Sequence, residues 1–425
     1  MLIRLICCLL LCLLASSVQA QSEPRQFPSG THHVFIPKVS GIRTSLLQNI
    51  APIIERSIAE GYYPGGVILI GHHGKMIYRG VFGNRRVVPD TAPMRFNTLF
   101  DIASLTKVVA TTPAVMQLIE QGKLDLDAAV ATYWPDFAEN GKETVTIREL
   151  LTHTSGLPAE IAITSEKMSE EDYLNQIKSL KLLHPPGSAF LYSDVNFMVL
   201  ANLVAMISGE HFDKYVLKHI FKPLKMQHTF FLPSPQLRDQ IAPTEVFKDK
   251  LRWGEVHDPA TYSLGGVAGS AGLFSNAHDL SLYVQSLLQG GRLPKSARDA
   301  TNRHFLGPLA ILKMSTPQTP SHLLDTRGLG WDIDSKYSNR GVLFPVQSFG
   351  HSGWTGTSIW IDPTTKTWII ILTSRTHPKP MEHNQLLQDR KTIANIVSAS
   401  IIDIPSYSQN NTSDGELDRA YKKTI

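Results

Sequence analysis

The chain has 425 residues, 42% of them hydrophobic and 18% charged, with a formal net charge of +4. This is ordinary globular composition, long enough for one large or two modest domains around a substantial core. A charge excess this small, with no basic block interleaved with aromatics, argues against a nucleic-acid partner.

Met1 to Arg4 reads as a short basic n-region, Leu5 to Leu14 as an apolar h-region, and Val18-Gln19-Ala20 as small residues before a cut near Gln21. The pattern predicts a secretory signal peptide over residues 1–20. A membrane anchor is the alternative, but the run is short for a span and lacks basic stop-transfer flanks. No stable membrane span is therefore expected after cleavage. Cys7, Cys8 and Cys12, the only three cysteines, all fall within this segment. The mature chain would then hold no disulfide, no thiol nucleophile and no cysteine-ligated metal. An exported chain without cysteines suits a bacterial periplasm.

Residues 21–45 are polar and proline-dotted, a leader lying on or off the core. Leu46 to Glu60 has helical spacing. Gly65 to Gly71 reads as an apolar strand, His73-Gly74 as a turn and Lys75 to Val81 as the returning strand. A helix from Val108 to Gln121 follows Ser104-Leu105-Thr106-Lys107. Val145 to Leu151 opens another, with Thr146 and Glu149 as a capping box. Val195 to Ser208 is a strongly apolar helix closed by Gly209, and Phe212 to Phe221 continues as helix. Residues 247–276 carry little periodicity, as functional loops often do. Asp279 to Leu288 resumes as helix. Val342 to Ser348, Thr355 to Ile361 and Trp368 to Thr373 read as strands, with Asp362-Pro363 as the turn between the last two. A closing helix is expected from Lys391 to Ile402, then a polar tail over 406–425.

Strands at both ends of the chain with helices between predict an α/β (α+β) fold. One antiparallel sheet, about 46–100 and 325–405, would be flanked by helices. A mainly helical subdomain, about 101–324, would be inserted into it, with a cleft between the parts.

Ser104 and Lys107 are three apart, so they share one helical face. A serine nucleophile needs a nearby base and donors for the developing oxyanion, and helix N-terminal amides with a lysine favour ionised forms. Such a pair also arises by chance on a surface helix. Tyr192-Ser193-Asp194 sits at the mouth of an apolar helix, where a phenol beside Lys107 would serve as a proton shuttle; a core tyrosine is the plainer alternative. Gly350-His351-Ser352-Gly353-Trp354 is a glycine-punctuated segment entering a strand, where glycine lets a substrate approach the backbone.

Ser104-Leu105-Thr106-Lys107, Tyr192-Ser193-Asp194 and His351-Ser352-Gly353, in that order, resemble the serine β-lactamase and penicillin-binding protein superfamily, class C type. The stretches Leu150 to Leu157, Gly265 to Ser275 and Gly350 to Pro363 match it as well. The run from Gly254 is similar to penicillin-binding protein 4B and its relatives. The resemblance spans about residues 46–374.

It implies a β-lactamase/DD-peptidase-like fold and a serine hydrolase that forms an acyl-enzyme on Ser104, without metal or cofactor. Lys107 would activate the serine, and Tyr192 would act as general base and proton donor to the leaving group. The backbone amides of Ser104 and Trp354 would form the oxyanion hole. Asp194, His351, Ser352 and Gly353 would meet the substrate, a D-alanyl peptide of peptidoglycan, with β-lactams as acylating ligands. A DD-carboxypeptidase or endopeptidase is the first expectation. An esterase or weak class C-like β-lactamase is the alternative, and a non-catalytic sensor of β-lactams or wall fragments a further one.

Two positions depart from the usual pattern. His351 stands where most relatives have lysine, and a histidine is only partly charged at neutral pH. Asp194 stands where most have asparagine, and an ionised aspartate can only accept hydrogen bonds. Asp194 would hold Lys107 protonated, or simply cap the helix from Val195. Arg375 is a candidate anchor for a substrate carboxylate, against a solvated strand-end arginine. His257 and Asp258 would line the cleft without binding metal. Ser270, in Ala268-Gly269-Ser270-Ala271-Gly272, is a rival nucleophile by its likeness to the elbow of α/β-hydrolases, though it lacks a preceding strand.

Overall fold

Gly65-Gly66-Val67-Ile68-Leu69-Ile70-Gly71-His72 is buried along its whole length, which requires cover on both faces of the sheet it joins. The computed structural model describes residues 27–295, 303–381 and 383–403. The stretch expected as a signal peptide, with its cysteines, and the expected polar tail lie outside the described residues. Strand β1 (Thr31–Phe35) falls within the stretch expected as a leader; helix α1 is Ile50–Ala59, and strands β2 and β3 are Gly65–His72 and Lys75–Arg86. The β2–β3 turn is His73-Gly74, with φ of 47° and 76°. A two-residue hairpin loop with both residues at positive φ matches the twist of the strands it joins. Strand β4 (Ala92–Pro93) pairs with β3.

The C-terminal part adds β5 (Thr326–Arg327), β6 (Asp332–Asp334), β7 (Phe349–Ser352), β8 (Thr357–Asp362) and β9 (Thr367–Thr373). The order is β1-β3-β2-β9-β8-β7-β6-β5, antiparallel throughout, with β4 on β3. The last strand thus pairs with the first hairpin, Leu69 opposite Ile370 and Val67 opposite Leu372.

Alternation along these strands feeds two cores. Ile68, Ile70, Ile369 and Ile371 join α1 and the C-terminal helix α6 (His383–Ser400) on one face. Val67, Leu69, Ile370 and Leu372 join the helical part on the other. That part includes α2 (Thr112–Glu120), α3 (Ile147–Thr152), α4 (Asp194–Ser208) and α5 (Ala277–Leu288). The capping box at Thr146 and Glu149 is present, and Gly209 ends α4 in the left-handed region. Among the described residues, no single helix is long and apolar enough to cross a membrane.

Two elements differ from expectation. Val342 to Ser348 is a loop, and its strand begins only at Phe349. Pro345 cannot donate to a ladder, and Val342 and Leu343 face solvent, so apolar content there reflects no pairing. Helix α6 starts at His383, well before Lys391. Its N-terminal half is anchored by two buried polar side chains: Asp389 accepts from the Ser57 hydroxyl (2.6 Å) and the Tyr63 hydroxyl (3.1 Å), and Arg390 donates to the Thr357 carbonyl (2.9 Å). Polar anchoring leaves no apolar period to read.

Candidate active site

The turn before Ser104 is built by Asp101. Its carboxylate accepts from the amides of Ala103 (2.8 Å) and His257 (2.7 Å), tying the turn to the irregular 247–276 region. Ala103 is held at φ 46°, a costly conformation for a residue with a Cβ, immediately before the serine. The helix that follows does not start as a plain α-helix. Lys107–Thr111 forms a π-turn ahead of α2, and the Val108 carbonyl accepts from the Tyr283 hydroxyl (2.5 Å). Such widened turns recur at functional sites.

Lys107 is fully buried. Its Nζ donates to Ser104 Oγ (3.1 Å) and to the Ser270 carbonyl (2.9 Å), and lies 2.7 Å from Asp194 Oδ1. A hydroxyl and a carbonyl oxygen thus accept from the ammonium, and the Asp194 carboxylate supplies its counter-charge. Burial pulls its pKa down, but Asp194 and Tyr192 outweigh this, leaving it above the ordinary lysine value. Burial in turn raises the Asp194 carboxyl, against the pull of Lys107. Ser193, not Asp194, caps α4, accepting from the Asn196 amide. Asp194 is the first residue of α4 and its carboxylate serves Lys107, which corrects the reading of it as the cap.

Tyr192 is held by its rings. His153 stacks on it at 4.3 Å between centroids, and Lys107 Nζ lies 5.1 Å from its centroid. His153 itself ends α3 in the left-handed region, and its Nδ1 accepts from the Ser193 amide (3.0 Å). One side chain thus fixes both the phenol and the cap beside it.

Strand β7 closes the other wall. Thr355 and Thr357 donate to the carbonyls of Asp101 (2.7 Å) and Ile102 (3.0 Å), clamping the β7–β8 turn onto the Ser104 turn. A Cβ on Gly353 would meet the Ile102 oxygen at 2.4 Å, so glycine is required there. His351 is buried, and its Nδ1 donates to the Ser352 carbonyl (2.9 Å), leaving Nε2 as an acceptor. Burial first, then the nearby cations Arg327 and Lys107, hold it well below the ordinary histidine value. His351 is therefore neutral, which corrects the expectation of partial charge.

Ser104, Tyr192, Asp194, His351, Ser352, Gly353 and Trp354 line one cleft of about 580 Å³, together with His257 and Asp258. Two expected residues behave otherwise. Arg375 is buried behind the wall, its guanidinium donating to the carbonyls of Trp354 and Met381, and so is neither a cleft-facing anchor nor a solvated strand-end arginine. Ser270 is wholly buried, and its carbonyl receives Lys107.

Arg327 was not foreseen. It is 1% exposed, lines the cleft and has its Cζ 5.9 Å from the Tyr192 ring centroid. Its Nη2 donates to the Gly330 carbonyl (3.1 Å), Asp332 stands off at 3.8 Å, and Nε has no hydrogen-bond partner. An arginine beside Gly328-Leu329-Gly330-Trp331 carries no sequence sign of burial.

The arrangement can stabilise an alkoxide on Ser104 with a fixed cation, pass a proton through Tyr192 and receive an anion at Arg327. The Beta-lactamase family model matches residues 50–392. A protein of Escherichia coli described as "Putative D-alanyl-D-alanine carboxypeptidase" is 33% identical over 382 residues, covering 80% of this chain and 85% of that protein. A solved penicillin-binding protein homologue from Caulobacter crescentus superposes with a TM-score of 0.68 at 20% identity, covering 86% of this chain and all of that one. The hydrolase EstCE1, described as having promiscuous acyltransferase activity, gives 0.66 at 23%, covering 82% of this chain and 98% of that one. These two likenesses show a shared fold. With the family model spanning most of the chain and a relative matched over four-fifths of it, the protein belongs to the β-lactamase family and is a serine hydrolase of that family.

Proposed function

We propose that the protein is an exported D-alanyl-D-alanine carboxypeptidase or endopeptidase that acts on peptidoglycan peptides through an acyl-enzyme on Ser104 and is acylated by penicillin. The observation that carries this reading is Arg327, a buried cation lining the cleft with an Nε that has no hydrogen-bond partner. Lys107 is already matched by Asp194, whereas the nearest carboxylate to Arg327 stands 3.8 Å away. A guanidinium so placed suits the terminal carboxylate of a D-alanyl peptide, which a simple ester lacks.

In this mechanism Ser104 Oγ attacks the peptide carbonyl, and its proton passes to the Tyr192 oxygen as the Tyr192 hydroxyl releases its own proton toward the leaving nitrogen. The ammonium of Lys107 cannot take the serine proton, but it lowers the energy of the alkoxide beside it. The amides of Ser104 and Trp354 receive the oxyanion. With the phenol's proton on the leaving amine, the C–N bond breaks and D-alanine departs. Water attacks the ester on Ser104 and regenerates the enzyme.

The test is mass spectrometry of the whole protein after exposure to penicillin, a D-alanyl-D-alanine peptide and a short-chain ester. An adduct on Ser104 that is absent in Ser104→Ala is expected, as is a rise in KM of about 10-fold or more for the peptide in Arg327→Gln. Turnover of esters alone, with Arg327→Gln unchanged, would favour an esterase; tight binding without turnover would favour a sensor. The secretory reading of residues 1–20 predicts a mature N-terminus near Gln21, readable by N-terminal sequencing.

A further inference from the structure

Trp354 and Thr355 lie between two glycines, Gly353 and Gly356, the latter at φ 115°. Glycines on both sides leave a turn with little backbone preference of its own. The Trp354 side chain is 52% exposed. A hydrogen-bond donor aimed at an oxyanion is useful only if its direction is fixed before the reaction begins. The described contacts of Arg375 supply such a hold.

Arg375 follows β9 and is 1% exposed. Its Nε (3.0 Å) and Nη2 both donate to the Trp354 carbonyl, a two-pronged grip on one oxygen. Its Nη1 donates to Met381, and its Cζ lies 4.4 Å from the centroid of the Trp354 indole. Its main-chain amide donates to the Thr355 carbonyl (3.0 Å). One residue therefore fixes the two peptide planes that follow the Trp354 Cα and packs against the indole that precedes them. Thr355 and Thr357 then press the same turn onto Asp101 and Ile102, beside the serine.

The charge is costly where it lies. Burial lowers the guanidinium to about 10, and the similarly buried Arg390 is close enough to be lowered in turn by it. An apolar side chain of the same length would fill the space without burying a cation. Packing alone does not call for arginine; a fixed carbonyl direction does.

We propose that Arg375 is the positioning residue of the oxyanion hole: by holding the Trp354 carbonyl it fixes the backbone at Trp354, so that the Trp354 amide, one peptide plane back, meets the developing charge on the Ser104 adduct. The proposal rests on Ser104 being the nucleophile. It also gives Arg375 no contact with the substrate.

The experiment compares wild type with Arg375→Met and Arg375→Lys in the whole protein, on p-nitrophenyl acetate and on a D-alanyl-D-alanine peptide. In Arg375→Met, kcat is expected to fall about 10- to 100-fold on both substrates, with KM within about threefold; this is below the cost of deleting an oxyanion donor, because the amide is displaced, not removed. In Arg375→Ala, added guanidinium should restore part of kcat. A kcat within twofold of wild type in Arg375→Met overturns the proposal. So does a rise in KM confined to the peptide, which would make Arg375 a carboxylate anchor. If Arg375→Met does not fold, Arg375→Lys decides: it keeps the charge but loses the two-pronged grip, and a wild-type kcat there overturns the proposal. Ser104→Ala separates the two readings. If it still turns over ester, the nucleophile assignment fails; if it is dead while Arg375→Met is fully active, only the role of Arg375 fails.

Discussion

The ammonium of Lys107 donates to Ser104 and Ser270 and is paired with the Asp194 carboxylate, the nearby group that most favours its charge. Without Asp194, the largest remaining influence on Lys107 is burial, which lowers its pKa. Asp194→Asn is therefore expected to move the alkaline limb of the kcat/KM profile to lower pH, because the cation beside Ser104 is lost earlier as pH rises. A pH–rate series on one ester substrate checks this, and an unmoved limb would count against a supporting role for the lysine cation. His351 behaves in the opposite sense. It is neutral and offers an acceptor, and Asp194 also offers acceptors, so the groups flanking Ser104 ask the substrate for N–H donors. A peptide has them.

At the scale of elements, the site depends on how closely β7 approaches the Ser104 turn. The Gly353 position lies 2.4 Å from the Ile102 oxygen and 3.2 Å from the Ala103 Cβ, measured from where a Cβ would stand. Gly353→Ala must push the wall away from the serine. The expected result is a loss of about 1–3 kcal/mol in stability, as for overpacked sites, and a fall in kcat of about 10²-fold as the oxyanion donors separate. Thermal melting and kinetics on one preparation check both, and a folded, fully active variant would show that the wall tolerates displacement. The capping box at Thr146 and Glu149 was readable because its hydrogen bonds are local. The π-turn at Lys107–Thr111 was not, since its extra residue is accommodated by Tyr283, remote in sequence.

Across the whole molecule, the β2–β9 pairing joins the two ends of the chain into one sheet, and the cleft lies between that sheet and the helical part. Ile370 sits at this seam, opposite Leu69 and facing the larger core with no exposure. Ile370→Ala is expected to cost about 2–5 kcal/mol, read as a lower midpoint in urea unfolding with little change in slope. A cost below about 1 kcal/mol would mean that the seam contributes little. The order of strands and helices was legible because hydrophobic periodicity marks strands and helices wherever they pack through apolar faces. It misled at Val342, Leu343 and Val346, which are apolar but exposed, and in the first half of α6, which is held by the buried polar side chains of Asp389 and Arg390.

The sequence by itself determined the elements, the capping signals and the three short motifs, since each is a local pattern of residue types. It also placed Ser104 and Lys107 on one helical face through their spacing. Only the tertiary structure decided which charges share a site. Of the two roles open to Asp194 the partner of Lys107 is taken and the cap falls to Ser193, Arg375 withdraws behind Trp354, and Arg327 enters the cleft from β5. Such outcomes turn on distances of a few ångströms between separate segments of the chain, and on burial, which shifts whether a side chain is charged. Neither is encoded in any short stretch of the chain.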